Sequence, residues 1–331
     1  MSIARRRQRW LLGIVAFISC TFCGVAFAQG SVSLHSFDPA LYPPWQHGDN
    51  NDVREHGVEF TVPDADNLAD FHGNPVDAKL VLFVGGNYFF AMAPLVAQFE
   101  KLHPEFVGRM YWETLPPGLL VEQIRNGGTI TVGNMTWTVR ADAYLGDLAN
   151  VERSVAEGLL AAPAISYATN TLTIMVAKGN PLNVTGLADL GRPGIRLGMP
   201  DGRFEGVARQ IKESLRKAGG DALQNRVYDE KVKDGSTVLT RIHHRQTPLW
   251  IMQGRVDAGV TWQSEAVFQE QVGHPIEHVN LPLEQNSTGV YAAAVVNGAS
   301  HADAARLWLE FITSKDAGLI FAGYGFKPLG G

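Results

Sequence analysis

The pattern of apolar residues predicts a strand followed by a helix near residue 80. Leu80–Val84 is a continuous apolar run, which is typical of a strand covered on both faces. After Gly85 and Gly86, apolar residues recur at helical spacing, at Met92, Leu95, Val96, Phe99 and Leu102. Such a junction points free N–H groups and the positive end of a helix dipole at the carboxyl end of the strand, which suits an anion. An ordinary turn that binds nothing has the same pattern.

Strands and helices alternate along the rest of the chain. The predicted strands are Val107–Glu113, Thr129–Val139, Thr171–Ala177, Ile195–Gly198, Ala258–Trp262, Ile276–Asn280 and Val290–Val296. The predicted helices are Pro117–Asn126, three more around Val155, Leu187 and Ile211, one capped by Thr247 with Pro248 at its first position, and two near the end around Trp308 and Phe321. This order predicts an α/β fold with mostly parallel sheets flanked by helices.

Two long segments indicate how the chain is divided. Ile165–Ala177 and Leu281–Gly289 are typical of crossings between two lobes. We therefore expect lobe 1 at 78–166 and 284–331, and lobe 2 at 167–283. Residues 29–77 are rich in Pro, Asp, Asn, Gly and His, and predict a surface extension with one edge strand at Val58–Val62.

The first residues predict export. Four arginines precede an apolar segment of about 13 residues, from Trp10 to about Phe22, and the small-residue site Ala26-Phe27-Ala28 follows it. This is the pattern of a signal peptide, 1–28, cleaved after Ala28, and we expect a periplasmic protein without membrane insertion of the mature chain. Cys20 and Cys23 both lie in the signal segment, so we expect no disulfide.

Charge argues against nucleic acid as a partner. Residues 1–28 hold four arginines and no acid, so their removal changes the net charge from −5 to −9. A protein that binds nucleic acid usually carries a basic surface.

Several motifs together resemble a known family. They are Leu80–Asn87, TNTLTIMVAKGNP at 169–181, the G-x-P-D turn and helix at 198–208, DAGVTWQSEA at 257–266 and AGYGF at 322–326. These segments resemble the periplasmic solute-binding proteins of ABC transporters, and in particular the molybdate- and tungstate-binding family. The resemblance implies a type 2 periplasmic-binding-protein fold, whose two lobes are joined by two crossovers and close over an oxyanion.

The resemblance also implies a set of ligand-binding residues. They are Asn87 and Tyr88 in the first loop, Thr114 to Gly118 in the second, Arg203, Phe204 and Glu205 after the lobe 2 strand, and Trp262. The family usually has a small hydroxyl residue where this chain has Asn87, and a tyrosine where it has Trp262. The indole N–H of Trp262 can donate one hydrogen bond. Because the indole ring is bulkier than the phenol of tyrosine, the ligand could differ in size or shape from that of the family.

Charged residues add further candidates. Arg241–Pro248 is the densest cationic cluster after the signal segment, and His243 or Arg245 could face the cleft and hold an anion. A solvated loop is the alternative. For Glu205 we favour a position in the first turn of its helix, where the dipole stabilises a carboxylate, over direct contact with a ligand.

We therefore expect a monomer without a cofactor or catalytic role, which passes its oxyanion to an ABC permease in the inner membrane. Two alternatives stay open. The same fold could bind sulfate, phosphate, a small carboxylate or ferric iron, for uptake or for sensing. A secreted hydrolase is the second, although G-x-S-x-G, H-E-x-x-H and phosphate-loop motifs do not occur in the sequence.

Overall fold

The apolar runs of the sequence form the strands of a large mixed sheet. A computed structural model describes residues 70–132, 135–203, 205–240 and 244–330. The strands in this part are β1 (Asp70–His72), β2 (Leu80–Gly85), β3 (Met110–Leu115), β4 (Thr129–Val132), β5 (Met135–Thr138), β6 (Ala143–Asp147), β7 (Ile165–Ala177), β8 (Leu197–Pro200), β9 (Thr237–Thr240), β10 (Ala258–Trp262), β11 (Ile276–Asn280), β12 (Thr288–Val295) and β13 (Lys327–Pro328).

Helices connect most of these strands. The α-helices in the described part are α1 (Phe89–Leu102), α2 (Pro117–Arg125), α3 (Leu148–Ala156), α4 (Val207–Asn225), α5 (Lys231–Lys233), α6 (Gln246–Met252), α7 (Gln263–Gln271), α8 (Ala302–Ile312) and α9 (Lys315–Gly323). Short 3-10 turns at Gly86–Tyr88, Pro104–Phe106 and Leu187–Gly191 join some of them. The alternation confirms the predicted α/β class.

Parallel strands form the centre of each half of the sheet. Among the described residues, the main path runs β1-β3-β2-β6-β12-β7-β10-β8-β9, and β11 and β13 also pair with β7. In the first half β2 is parallel to β3 and β6, and in the second half β8 is parallel to β9 and β10. The strands that return between the halves, β7 and β12, pair antiparallel to their neighbours.

The long strand β7 belongs to both halves. Its residues up to Thr171 pair with β12, and those from Leu172 onward pair with β10. Where the partner changes, the Asn286 side chain accepts a hydrogen bond from the Leu172 N–H and donates one to its carbonyl, both at 2.9 Å. The segment predicted as a crossing is therefore one continuous strand. The predicted lobe boundaries stay a prediction.

Both faces of each half are covered by apolar side chains. In β2, Leu80, Leu82 and Val84 pack into one hydrophobic cluster with α1, α8 and α9, while Val81 and Phe83 pack into another on the opposite face. In β7, Leu172, Ile174 and Val176 face a third cluster and Met175 a fourth. Burial on both faces explains why β2 and the Ile174–Val176 part of β7 are apolar at every position rather than at alternate ones.

Several elements differ from the sequence prediction. Residues 129–139, predicted as one strand, form the hairpin β4–β5, and α6 starts at Gln246 rather than at Pro248, with Arg245 as its cap. The short strands β1, β6 and β9 and the helix α7 were not predicted. The predicted edge strand Val58–Val62 and the signal segment 1–28 lie outside the described residues. Among the described helices, none is both long and apolar enough to cross a bilayer.

Candidate functional site

Three parallel strands of the second half end at the same edge of the sheet. Glu205 follows β8, His244 follows β9 and Glu265 follows β10, near the start of α7. Because parallel strands place their carboxyl ends together, these three side chains meet although they are far apart in the sequence. We call this group the Glu–His–Glu cluster.

The imidazole of His244 lies between the two carboxylates of the cluster. Its Nδ1 is 2.7 Å from Glu205 Oε2, and its Nε2 is 3.1 Å from Glu265 Oε2. The backbone N–H of His244 also donates to Glu205, and the hydroxyls of Thr240 and Thr261 donate to Glu205 and Glu265 respectively. The three cluster residues are 5–7% exposed. Three of the four carboxylate oxygens thus have a partner in this buried polar group, whereas Glu265 Oε1 has no hydrogen-bond partner among the described residues.

The surroundings of His244 favour its charged form. Burial lowers the pKa of His244, but the charges and hydrogen bonds of Glu265 and Glu205 outweigh this effect and raise it to about 10. The ring is therefore an imidazolium at neutral pH, with both nitrogens protonated.

Arg245 extends from the second half of the sheet to the first. Its guanidinium lies 4.9 Å from the ring centroid of Phe89 at the start of α1, and its Nη1 lies 3.4 Å from Asp70 Oδ2 on β1. Its Nη2 would be 3.3 Å from a Cβ placed on Gly86. The side chain is 3% exposed. The buried guanidinium of Arg245 therefore lies next to Gly86, at the junction between β2 and α1.

A narrow cavity lies beside this arginine. His244, Arg245, Thr261 and Glu265 line one part of it, and the apolar and amide side chains that complete the lining are Phe89, Phe90, Pro248, Phe268 and Gln269. Phe90 and Phe268 stack on each other with their centroids 4.7 Å apart, which joins α1 to α7. The volume is about 10 Å³, which is about the space for one water molecule.

The family of the chain follows from its comparison with known proteins. Residues 80–327 match the family of bacterial extracellular solute-binding proteins. The chain belongs to this family. The resemblance inferred from the sequence motifs is confirmed at this level.

Individual relatives of this solute-binding protein bind oxyanions. The molybdate-binding protein ModA of Mycobacterium tuberculosis is 28% identical over 243 residues, which cover 72% of this chain and 84% of the relative. The sulfate-binding protein of Synechococcus elongatus is 21% identical over 272 residues, covering 77% and 74%.

Solved structures share the fold. The periplasmic molybdate-binding protein of Azotobacter vinelandii has a TM-score of 0.58 at 17% identity, and covers 75% of this chain and 98% of its own. The sulfate-binding protein SubI of Mycobacterium tuberculosis has a TM-score of 0.62 at 21% identity, covering 76% and 86%.

Some predicted site residues of this solute-binding protein meet at the shared edge. Glu205 lies in the Glu–His–Glu cluster. Thr114 and Arg245 both contact Asp70. The backbone N–H of Trp262 lies 3.3 Å from Glu265 Oε2. The prediction that the dipole of α4 holds Glu205 was wrong, because α4 starts only at Val207 and the carboxylate is bound by Thr240 and His244 instead.

Other predicted residues lie elsewhere. Tyr88 is buried in the core, where its hydroxyl accepts a hydrogen bond from Tyr167, and burial raises its pKa. The Arg203 side chain is 75% exposed and pairs with Asp201 at 2.6 Å. Asn87 is half-buried and donates to the Tyr291 hydroxyl.

Three further predicted positions remain, Gly118, Phe204 and His243. Gly118 lies in the first turn of α2, in open space. Phe204 and His243 lie outside the described residues. Their roles in binding stay predictions.

Sequence reasoning missed three residues of the site, Asp70, His244 and Glu265. Glu265 had a usable signal, since it lies three residues after Trp262, at the position where a glutamate completes a capping box. His244 lies in the cationic cluster Arg241–Pro248, from which only His243 and Arg245 were predicted to face the cleft. Asp70 lies in a segment where no strand was predicted.

Proposed function

We propose that this protein is a periplasmic carrier that binds a small oxyanion of the molybdate or tungstate type and delivers it to an ABC permease. In this proposal residues 1–28 are a signal peptide cleaved after Ala28, and the mature protein is a monomer. Lobe 1 (78–166 and 284–331) and lobe 2 (167–283) close over the solute, and no catalytic step or cofactor is involved. Membership of the solute-binding family and the molybdate-binding relatives support this function.

The observation that carries the proposal is the position of Arg245. A buried guanidinium from the second half of the sheet stands over Gly86, at the start of the helix region that follows β2. Free N–H groups at a helix start and a guanidinium are both donors that suit an oxyanion. Each charge-assisted hydrogen bond contributes roughly 1.5–3 kcal/mol, so a few converging donors suffice for tight binding in a chain of negative net charge.

Sulfate is the second candidate solute. A sulfate-binding relative and a sulfate-binding structural neighbour both align with most of this chain. Sulfate and molybdate are tetrahedral dianions that differ mainly in size, so the same donors serve both. Among the described residues, no three His, Cys, Asp or Glu side chains are placed to hold a metal ion.

Thermal unfolding in the presence of different anions tests the proposal. The purified mature protein is heated with sodium molybdate, tungstate, sulfate, phosphate or citrate. A ligand at about 100 times its Kd adds about 2.7 kcal/mol of stability, which corresponds to a Tm increase of about 5 °C or more. If none of the first four anions raises the Tm, the oxyanion function is wrong.

A pair of arginine variants tests the residue that carries the proposal. Arg245→Gln removes the buried positive charge, so we expect the anion-dependent Tm increase to be lost or strongly reduced. Arg255→Gln is the matched control, because Arg255 is exposed and stacks on Trp250 in the same half of the sheet. An equal anion response in both variants would place the binding site elsewhere.

A further inference from the structure

The strand β1 lies before the part of the chain that matches the family. The match begins at residue 80, whereas β1 spans Asp70–His72 and pairs antiparallel with β3. All three residues are buried, and the ring of His72 stacks on Trp112 at a centroid distance of 4.6 Å. β1 is therefore a firmly packed addition to the edge of the sheet.

The register of β1 brings one carboxylate to the functional edge. Asp70 is the direct partner of Thr114 near the carboxyl end of β3, which is where open α/β sheets bind ligands. Directly opposed residues in an antiparallel pair present their side chains on the same face. The Asp70 side chain, 5% exposed, is thereby held beside the first strand–helix junction.

Among the described residues, Asp70 contacts Thr114 and Arg245, two candidate ligand-binding residues predicted from the sequence. Its Oδ2 accepts a hydrogen bond from Thr114 Oγ1 at 2.8 Å and pairs with Arg245 Nη1 at 3.4 Å. One donor belongs to the first half of the sheet and the other to the second. The carboxylate thus makes the contacts across the cleft that an oxyanion oxygen would make.

We propose that Asp70 is a built-in anion that competes with the solute for Thr114 and Arg245 and so determines which solutes bind. This inference rests on the proposed function. A tethered carboxylate has a high effective concentration, so a free monocarboxylate with the same chemistry does not displace it. An oxyanion with two charges and more acceptor oxygens gains enough additional contacts to do so.

Removal of the charge at position 70 tests the competition. We expect Asp70→Asn to lower the Kd for molybdate and sulfate about tenfold or more. In this variant the solute no longer has to displace a charged carboxylate from Arg245. Asp77→Asn is the matched control, because Asp77 lies just beyond β1 and is exposed. Its Kd should change less than about twofold. An unchanged or higher Kd in Asp70→Asn overturns the inference.

A second variant separates direct competition from a general effect of charge. Asp70→Ala leaves space beside Thr114 and Arg245 that a small carboxylate fits. Sodium formate should raise the Tm of Asp70→Ala but not that of the wild type or of Asp70→Asn. Lack of a formate effect in Asp70→Ala contradicts the claim that the carboxylate occupies an anion position.

Hydrogen exchange of the wild type decides the question if neither variant folds. Sodium molybdate or sulfate should increase the rate of amide hydrogen exchange in the peptide that contains residues 70–72. The reason is that Asp70 loses its contacts with Thr114 and Arg245. Slower or unchanged exchange there, in the presence of a Tm increase, overturns the inference while the proposed function stands. No Tm increase with any of the anions in any variant rejects the proposed function and the inference with it.

Discussion

Replacement of His244 by glutamine should strongly destabilise the protein. The imidazolium separates two buried carboxylates, and glutamine supplies no positive charge to them. Loss of one member of a buried ion pair costs about 3–5 kcal/mol because the partner charge stays buried. The pKa leads to the same magnitude. The pKa rises from 6.5 to about 10 on folding. At pH 7, which is about three units below the folded-state pKa, this rise corresponds to about 4 kcal/mol at about 1.36 kcal/mol per unit.

The pH dependence of this effect has a definite sign. The folded-state pKa of His244 is raised, so its contribution to stability is complete below pH 6.5 and is lost as pH rises through about 10. The free energies of unfolding of the wild type and His244→Gln should therefore differ by about 4 kcal/mol at pH 6–7, and by much less near pH 10.

Urea unfolding at several pH values measures this difference. His278→Gln is the control, since His278 forms a more exposed pair with Glu270 and should contribute at most about 1 kcal/mol. The double variant His244→Gln/Glu265→Gln removes one of the two carboxylates and should recover part of the loss. A loss below about 1 kcal/mol at pH 7, or one that is the same at pH 6 and pH 10, would refute an imidazolium in this cluster.

Two further changes test other parts of the fold. Burial raises the pKa of Glu113 to about 7 against hydrogen bonds that lower it, so stability falls as pH rises from about 4.5 to 7. In urea unfolding, Glu113→Gln should remove this decrease of about 3 kcal/mol in the free energy of unfolding between pH 4.5 and 7. Glu122→Gln should keep the decrease, because Glu122 is exposed. A methyl group at Gly289 would lie 2.6 Å from the ring of Trp262, so Gly289→Ala should cost about 1–3 kcal/mol and change the tryptophan fluorescence. Gly118→Ala, which meets open space, should do neither, and equal effects at both glycines would contradict the packing argument.

Much of the fold could be predicted because burial leaves a direct pattern in the sequence. β2 and α1 were recognisable from a continuous apolar run followed by helical spacing, and the bounds of β10 and β11 were predicted correctly. Long elements with apolar faces carry enough residues for the period to be read. The family resemblance rested on the order of these same elements.

The candidate site was harder to predict because its residues meet only through the sheet. Glu205 has an ordinary local explanation at a helix start, and His244 follows β9, a strand of four residues that left no clear period. Asp70 lies 175 positions before Arg245, and β1 is three residues long in a polar segment. Local patterns do not show that side chains at such separations share one edge.

The strand shared by both halves also contains a point at which its main chain is bound by a side chain rather than by another strand. Leu172, where β7 changes partners, has its main-chain N–H and carbonyl bound by the amide of Asn286. A side-chain amide can turn with the peptide that it binds, whereas a neighbouring strand cannot without losing its register. A pivot at Leu172 would therefore let the cleft open with the ladders on either side intact. The free energy of opening would then be set mainly by the contacts across the cleft rather than by the backbone.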